Sequence, residues 1–558
     1  MSAQAKGCAE LNTACVAAGF TANGTATKGS RIVRDCISPL INGISPPGNG
    51  ILPLPNVSQN AVAACRATKT KGGKAAAPDA AVAGQTAGAA PAKVKALPAG
   101  AAAGPNIVFI LADDFSFDLI NEQNGALAQA MPNLARMMQQ GLSFSNYFVT
   151  DSLCCPSRTS IFTGLLPHNS GVITNTGADG GYGAFMSHNN DSKTFALALH
   201  GASYATAMMG KYLNGYEVNL GVPQGWSDWA VAANGYGNFN YSLNQNGSVI
   251  TPKPHLTDEI SQLGQDFIAA ATGPFFLELA TFSPHAPYTP PARYADAFPG
   301  LTYPQSPAYG ARPDDAAPQW MKDIPPLDAR FAAKVNNIYR LRVQSVKGID
   351  DMIGAIRKTL EAQGLTKTTY VIFSSDNGYH MGEHSFRPGK MTPFDTDINV
   401  PLVVVGPGVP AGKTVSDMAM NIDLLPTFLD LAGLPVAASV DGQSLAGLLR
   451  GGAGPNRSIA VVEHKQSASS ANDPDATDSK AGDPPTYVAL RMKDALYVEY
   501  LGGSGEVAYY DLKADPDALH NIAATLPAAR LKALHDALQA NHTCAGTRQC
   551  AAAQALKP

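Results

Sequence analysis

Runs of apolar residues that end in polar or charged residues are the main pattern along the chain. They occupy Ile107–Ala112, Phe275–Phe282, Thr369–Ser374 and Val400–Val405. Such a run is typical of a strand that is buried on both faces of a sheet. The segment Leu142–Val149 alternates apolar and polar residues, which also predicts a strand. The sequence therefore predicts an α/β fold built on a largely buried sheet.

Helical periodicity appears between and after these runs. An amphipathic helix is marked by Ile349, Ile353, Ile356 and Leu360, and Gly364 ends it. A capped helix is predicted from Asp423 to Leu431, closed by Gly433, and a last helix carries Leu531, Leu534 and Leu538.

The C-terminal part reads as a smaller subdomain. Short strands are predicted at Ser458–Glu463, Tyr487–Met492 and Ala495–Tyr500. The polar stretch Gln466–Pro485 between them is predicted to be a loop that borders the substrate.

Composition divides the chain further. Residues 1–70 form a Cys-bearing N-terminal module of unknown role, and residues 71–104 have the Ala, Pro, Gly and Lys composition of a linker. A catalytic domain is predicted at 105–455, and the C-terminal subdomain with its Cys pair at 456–558. A net charge of -4 gives no basic footprint for nucleic acid. We expect no membrane span, because no apolar run reaches about 18 residues. No leader peptide is visible.

The cysteines favour a periplasmic or secreted protein. Apart from Cys154 and Cys155, six cluster at the chain ends: Cys8, Cys15, Cys36, Cys65, Cys544 and Cys550. Cys544 and Cys550 are plausible partners in a disulfide, and the other four allow three connectivities. Paired cysteines persist in oxidising compartments. A terminal metal site is the alternative, but zinc-like Cys-x-x-Cys spacing is missing.

Acidic side chains follow two of the predicted strands. Asp113 and Asp114 end the first, and Asp376 and Asn377 end the run at Thr369–Ser374. Open α/β sheets place ligands at the C-terminal ends of their strands. These oxygen donors suit Ca²⁺ or Mg²⁺ rather than zinc. The alternative is that the Asp pair only caps the next element.

A Cys-rich segment follows the alternating strand. In Cys154-Cys-Pro-Ser-Arg158, Pro156 suits the first turn of a helix, so Cys154 should lie at a strand-to-helix junction. Free backbone N–H groups at such a junction favour an anion, and Arg158 lies one turn on, on the same face. The alternative is that Cys154 and Cys155 pack as small apolar residues or form a strained disulfide.

This segment, followed by Thr163-Gly164, resembles the Cys-x-Pro-Ser-Arg motif of the type I sulfatases. The resemblance implies that Cys154 is oxidised by a separate formylglycine-generating or sulfatase-maturating enzyme, and that the aldehyde hydrate is the nucleophile. It also implies that Asp113, Asp114, Asp376 and Asn377, together with the modified Cys154, bind one divalent ion, usually Ca²⁺ with Mg²⁺ possible.

Other motifs extend the resemblance over residues 105 to about 525. Gly-Lys211-Tyr-Leu-Asn214 differs from the commoner Gly-Lys-Trp-His and is similar to the N-acetylglucosamine-6-sulfatase and heparan endosulfatase branch. Lys211 is implied to bind sulfate, and Asn214 is a candidate substitute for the missing His. Pro284-His285-Ala-Pro resembles the motif whose His assists the leaving group.

The last motif is Asp376-Asn-Gly-Tyr-His380-Met-Gly-Glu-His384, with Lys390 beyond it. By resemblance, Lys390 binds sulfate, and His380 and His384 are candidate pocket residues, one of which could instead hold the loop.

The resemblance as a whole implies an alkaline-phosphatase-like α/β fold, in which a large mixed sheet lies between helices and a small antiparallel sheet forms the C-terminal subdomain. The expected activity is hydrolysis of sulfate esters of carbohydrates or aryl alcohols, with Cys154, Arg158, Lys211, His285 and Lys390 as catalytic residues. Two alternatives remain open: a phosphonate or phosphate ester hydrolase, and a non-catalytic carbohydrate-binding protein on the same fold.

Overall fold

The structure is a computed structural model, and it describes residues 104–120, 129–466, 481–501 and 505–558. These residues belong to one compact unit, Lys93–Pro558. The predicted N-terminal module, its four cysteines and most of the predicted 466–485 loop lie outside the described residues.

The strands come in three sheets. Their bounds are β1 Asn106–Ala112, β2 Leu142–Phe144, β3 Tyr147–Phe148, β4 Ala205–Lys211, β5 Asp228–Ala232, β6 Leu243–Gln245, β7 Ser248–Ile250, β8 Phe275–Ala280, β9 Thr369–Ser375, β10 Leu402–Val405, β11 Lys413–Val415, β12 Ala419–Met420, β13 Ile459–His464, β14 Tyr487–Met492, β15 Ala495–Tyr500 and β16 Val507–Asp511.

The α-helices surround these sheets. Their bounds are α1 Pro132–Gln140, α2 Cys154–Thr163, α3 Pro167–Ser170, α4 Gly181–Ser187, α5 Phe195–Gly201, α6 Leu256–Ala270, α7 Gln319–Lys322, α8 Ala329–Ala362, α9 Asp395–Ile398, α10 Leu424–Leu431, α11 Ala446–Leu449, α12 Ala528–His542 and α13 Thr547–Gln554.

The large sheet has ten strands in the order β11-β2-β10-β9-β1-β8-β4-β5-β6-β7. Its centre, from β9 through β1, β8 and β4 to β5, is parallel, whereas β10 and β6 run antiparallel to their neighbours. The predicted mixed sheet is therefore confirmed.

Both faces of this sheet are covered, which explains the continuous apolar run of β1. Phe109 and Leu111 point into one apolar core, and Val108 and Ile110 point into the other. Helices α6 and α8 lie on the second face, and α5 and α10 lie on the first. Burial on both sides favours apolar residues along β1. The polar residue at its start, Asn106, donates to the Thr369 hydroxyl and accepts from the Phe275 N–H.

A separate four-stranded antiparallel sheet, β13-β14-β15-β16, forms near the C-terminus, as predicted. Helices α12 and α13 pack against it. The proposed boundary between residues 455 and 456 stays a prediction.

The prediction of a single strand over Leu142–Val149 was wrong. The chain forms two short strands there, with β2 in the large sheet and β3 paired with β12 in a two-stranded sheet. The alternation is strict only as far as Ser145, and after Asn146 the residues Tyr147 and Phe148 are both buried. Because the period-2 pattern breaks at that point, the chain bends and changes partner.

Cys544 and Cys550 form the predicted disulfide, which joins the end of α12 to α13. Among the described residues, no helix is both long and apolar enough to cross a membrane.

Candidate active site

The sheet order brings the candidate residues to one edge. The neighbouring parallel strands β9, β1, β8 and β4 run in the same direction, so their C-terminal ends lie side by side. Asp376 follows β9, Asp113 follows β1, His285 follows β8 and Lys211 ends β4. Residues that are far apart in sequence thus meet without any long loop.

The acidic residues interlock across β1 and β9. Ala112 pairs with Ser375 in the sheet, so the residues after them leave adjacent strand ends. The Asp114 amide donates to Asp376 Oδ1 at 3.2 Å, and Asn377 Nδ2 donates to Asp114 Oδ1 at 2.7 Å. The four oxygen-donor side chains of the predicted metal set are all buried.

Three buried cations neutralise the three carboxylates. Lys211 Nζ donates to Asp113 Oδ2 at 2.6 Å, and Lys390 Nζ donates to Asp114 Oδ1 at 2.8 Å. Arg158 Nε donates to Asp376 Oδ2 at 2.8 Å. Unpaired charges would be costly to bury, so this balance is a condition for folding the site.

The two carboxyls nearest the centre differ in acidity. Burial disfavours the charged form of both. Around Asp376 the cations Arg158, Lys211 and Lys390 outweigh burial and lower its pKa to about 2. Burial prevails over Lys211 at Asp113 and raises its pKa to about 6. The Asp376 carboxyl therefore stays ionised to a lower pH than the Asp113 carboxyl does.

The donor set fits a hard divalent cation. Asn377 Oδ1 is buried with no hydrogen-bond partner, although its amide nitrogen donates to Asp114. A carbonyl oxygen left in this way beside carboxylates has the chemistry of a Ca²⁺ or Mg²⁺ ligand. Ligand atoms of Asp113, Asp114, Cys154 and His285 also lie within 4.8 Å of one another.

Cys154 lies at the centre of these groups. It is the first residue of α2, at the predicted junction, and it is fully buried. Its thiol donates to Asp113 Oδ1 at 3.3 Å, and Lys390 Nζ lies 2.8 Å from its Sγ. The Arg158 side chain, one turn along α2, reaches the same cluster through Asp376.

Cys155 is a different kind of residue. It is not bonded to Cys154, since neither of the two cysteines takes part in a disulfide. Burial raises the pKa of the Cys155 thiol to about 12, which leaves it unreactive as a nucleophile. The disulfide alternative for this pair is therefore wrong. Cys154 is the thiol that contacts Asp113 and Lys390.

His285 is oriented by its neighbours. Its Nδ1 lies 2.8 Å from the Ala286 carbonyl oxygen, and its Nε2 lies 3.7 Å from Asp114 Oδ2. A carbonyl can only accept, so Nδ1 carries hydrogen and Nε2 faces the acidic cluster. The Tyr236 ring packs on the imidazole with 4.6 Å between centroids, and the same ring lies 4.9 Å from Lys211 Nζ.

The other candidate residues, Asn214, His380 and His384, contact groups around the acidic cluster. Asn214 donates to the Tyr236 hydroxyl at 3.4 Å, so it adjoins the Lys211 and His285 side of the site. His380 bonds Asp397 through Nδ1 and the Ala481 carbonyl through Nε2, which is the arrangement expected of a residue that holds a loop.

The third, His384, stacks on Phe394 at 4.1 Å. Burial lowers the pKa of His384 to about 3, so it stays neutral. Whether any of the three binds substrate stays a prediction.

Two residues that support the site were missed by the sequence reasoning. Tyr236 lies in a Gly-rich loop with no distinguishing pattern. Arg342 is fully buried in α8, donates to the Asp114 and Pro284 carbonyls and lies over the Tyr379 ring. Its signal was available, because it lies seven residues before Ile349 on the apolar face of the helix.

Comparisons with known proteins identify the class of enzyme as a sulfuric ester hydrolase. The family model named Sulfatase matches residues 105–434. The chain belongs to this family.

One relative is the human (Homo sapiens) N-acetylglucosamine-6-sulfatase, 32% identical over 80% of this chain and 86% of its own. Another is an extracellular sulfatase, the SULF-1 homolog of Drosophila melanogaster, 31% identical over 62% of this chain and 31% of its own.

Solved structures give the same fold. One described as a complex with its substrate D-glucosamine-2-N,6-O-disulfate has a TM-score of 0.66 and 23% identity. The match covers 80% of this chain and 98% of that chain. The predicted alkaline-phosphatase-like sulfatase fold is confirmed.

Proposed function

We propose that the protein hydrolyses sulfate esters of amino sugars, with residue 154 as the nucleophile in its formylglycine form. One observation carries the proposal. The Cys154 thiol is in contact with an acidic residue of the metal set, Asp113, and with a lysine, Lys390, at the common edge of four parallel strands.

The acidic residues Asp113, Asp114 and Asp376 and the amide oxygen of Asn377 would hold the divalent cation, with Ca²⁺ preferred. A bound cation would supply positive charge that offsets the negative charge developing during the reaction. The supporting observation is the buried and unbonded Asn377 Oδ1 among carboxylates.

The nucleophile comes from oxidation of the Cys154 side chain to an aldehyde by a separate maturing enzyme. One hydroxyl of the aldehyde hydrate would attack sulfur and release the alcohol. The second hydroxyl would then lose its proton and expel sulfate by C–O cleavage as the aldehyde re-forms, so that water never has to attack sulfur.

Three cations act on the sulfuryl group. Lys211, Lys390 and Arg158 neutralise its oxygens, and their fixed positions mean that little reorganisation is needed as charge develops. Each already makes a charged contact of 2.8 Å or less with a carboxylate at the site.

His285 acts on the leaving group. With Nδ1 held by the Ala286 carbonyl, protonated Nε2 points into the site and gives its proton to the ester oxygen as the bond to sulfur breaks.

The substrate proposal rests on the relative that is 32% identical over most of the chain and is named for N-acetylglucosamine 6-sulfate. Asn214 and Tyr236 line the Lys211 side of the site and are the residues we expect to contact the sugar. His380 and His384 remain weaker candidates. A secreted location is proposed from the Cys544–Cys550 disulfide and the extracellular relative.

The test begins with mass spectrometry of the peptide that contains residue 154. It then measures turnover of N-acetylglucosamine 6-sulfate, an aryl sulfate and the corresponding aryl phosphate by the wild-type protein and by Cys154→Ala. We expect an aldehyde or its hydrate at residue 154, turnover of N-acetylglucosamine 6-sulfate and of an aryl sulfate, and none with Cys154→Ala. Cys155→Ala is the matched control and should keep its activity.

Other outcomes would overturn the proposal. Faster hydrolysis of the aryl phosphate than of the aryl sulfate would assign a phosphoesterase. An unmodified thiol in protein from its native host, together with no turnover, would indicate a binding protein. Activity on the aryl sulfate alone would reject the amino-sugar substrate and keep the sulfatase.

A further inference from the structure

A second cluster of metal-ligating side chains lies away from the active site, where three distant segments meet. His168 belongs to α3, Glu463 to β13 and His542 to the last turn of α12. One ligand atom from each lies within 4.8 Å of the others. No step of the proposed hydrolysis uses any of the three.

Glu463 is the centre of the cluster. Its Oε1 lies 2.6 Å from His168 Nδ1 and 2.7 Å from His542 Nδ1, and its Oε2 accepts from the His168 backbone N–H at 3.0 Å. The carboxylate is therefore fixed in place and turned toward both rings. Two imidazoles and one carboxylate are a ligand set that Zn²⁺ uses in proteins.

Neighbouring groups hold the His168 ring in an orientation that is common for metal-binding histidines. His168 Nε2 bonds the Cys544 carbonyl oxygen at 2.8 Å, and Cys544 is held by its disulfide to Cys550. A ring whose Nε2–H is held by a carbonyl presents the lone pair of Nδ1 to a metal. Asp441, which bonds Asn169 beside this ring, adds a second negative charge nearby.

Access and space are also suitable. The His168 and His542 side chains are 18% and 34% exposed, whereas Glu463 is 6% exposed. The open side leaves room for water ligands and a path for the ion. Ligand atoms on a tetrahedral zinc with bonds of about 2.0–2.1 Å are roughly 3.3 Å apart. Each of the two distances from Glu463 Oε1 to a ring nitrogen would therefore have to lengthen by less than about 1 Å.

We propose that His168, Glu463 and His542 form a structural site for a borderline divalent metal ion, with Zn²⁺ as the best fit. The ion ties helix α12 to helix α3, which follows the nucleophile helix α2. Glu463 also donates its backbone N–H to Thr150, and His464 bonds Asp151, so the site braces the loop that leads into Cys154.

The test is calorimetric titration of the full chain with Zn²⁺ in Ca²⁺-saturated buffer, which keeps the catalytic acidic cluster occupied. We expect one additional Zn²⁺ per chain, with a rise in melting temperature. His542→Ala should weaken this binding about tenfold or more and abolish the rise.

A matched control lies on the same helix. His535 pairs with Glu499 at 2.8 Å and belongs to none of the metal-ligating clusters among the described residues, so His535→Ala should bind Zn²⁺ like the wild type. No zinc binding by the wild type in Ca²⁺ buffer would overturn the proposal, as would binding that His542→Ala leaves unchanged. Neither result would bear on the sulfatase proposal, because neither variant alters the catalytic residues.

Discussion

At the residue scale, single backbone and side-chain contacts decide what each titratable group can do. The Ala286 carbonyl orients the His285 ring, and contacts with Asp113 and Lys390 distinguish Cys154 from Cys155, whose thiol pKa is raised by burial. Burial and three cations move the pKa values of Asp113 and Asp376 in opposite directions, although both side chains are carboxyls at strand ends. Environment, rather than residue type, assigns these roles.

His285→Ala tests the proton donor through the leaving group. We expect turnover of an amino-sugar sulfate, whose alcohol is a poor leaving group, to fall about 10²–10⁴-fold. An aryl sulfate that releases a weakly basic phenolate needs less protonation and should lose much less. The measurement is kcat/KM for both substrates with both proteins. Equal losses on the two substrates would contradict a leaving-group role.

At the element scale, the strand ends and one long helix position the site. The strands β9, β1, β8 and β4 deliver residues to one edge, and α8 crosses behind them with Arg342 buried against the Asp114 and Pro284 carbonyls. This guanidinium connects the loops after β1 and β8, which carry the proposed metal ligand Asp114 and the proposed proton donor His285. It acts through those loops, so it is a positioning residue.

Arg342→Met should damage the site from behind. Leaving buried carbonyls without a donor costs about 1–3 kcal/mol each, so we expect the free energy of unfolding to fall by about 2 kcal/mol. Displacement of Asp114 should also weaken Ca²⁺ binding about tenfold. Urea unfolding and Ca²⁺ titration measure the two effects. Arg340→Met, whose head bonds Asn337 at the surface of the same helix, should change neither.

Glu278 in β8 gives a test of the core under the site. Both of its carboxylate oxygens are buried without a hydrogen-bond partner, and burial raises its pKa from 4.5 to about 8, although Arg158 opposes the shift. The folded state therefore prefers the protonated acid. Its contribution to stability is complete below pH 4.5 and is lost as the pH rises through about 8.

Glu278→Gln removes this ionisation. Compared with wild type, the variant should become more stable as the pH rises from 5 to 8, by at least about 1 kcal/mol, since one pKa unit corresponds to about 1.4 kcal/mol. Urea unfolding at both pH values measures the difference. Glu361→Gln, at an exposed position of α8, is the control and should show no such trend. A constant difference would show that Glu278 does not ionise in this range.

At the scale of the whole molecule, the active site is electrically balanced before any ion binds. Asp113, Asp114 and Asp376 are matched by Arg158, Lys211 and Lys390. The large sheet also buries both of its faces, so folding has its own driving force without the metal. The catalytic ion is therefore expected to serve activity more than folding.

Chelation of the matured protein tests this balance. We expect activity to disappear and the far-ultraviolet circular dichroism to stay unchanged. Addition of Ca²⁺ alone should restore turnover, with a melting temperature that rises with Ca²⁺ concentration, because binding to the folded state stabilises it by mass action. Unfolding on chelation would contradict the balanced site, and full activity in chelator would contradict a catalytic ion.

Several of the strands, the acidic residues at their ends and the Cys154 segment could be predicted from local sequence. Continuous apolar runs arise wherever both faces of a strand are buried, and short motifs keep their residues together whatever surrounds them. The same local logic placed the C-terminal strands and the pairing of Cys544 with Cys550.

Features that depend on contacts between distant segments could not be predicted from local sequence. The split of the Leu142–Val149 strand followed from a change of partner that local alternation does not record. Arg342 contacts a loop more than two hundred positions away, and Tyr236, which packs on His285, lies in a loop without a recognisable pattern. The cluster of His168, Glu463 and His542 likewise joins residues that are far apart in the sequence. Sequence periodicity reports which face a residue occupies, whereas its partners and its pKa are set by what the fold packs against that face.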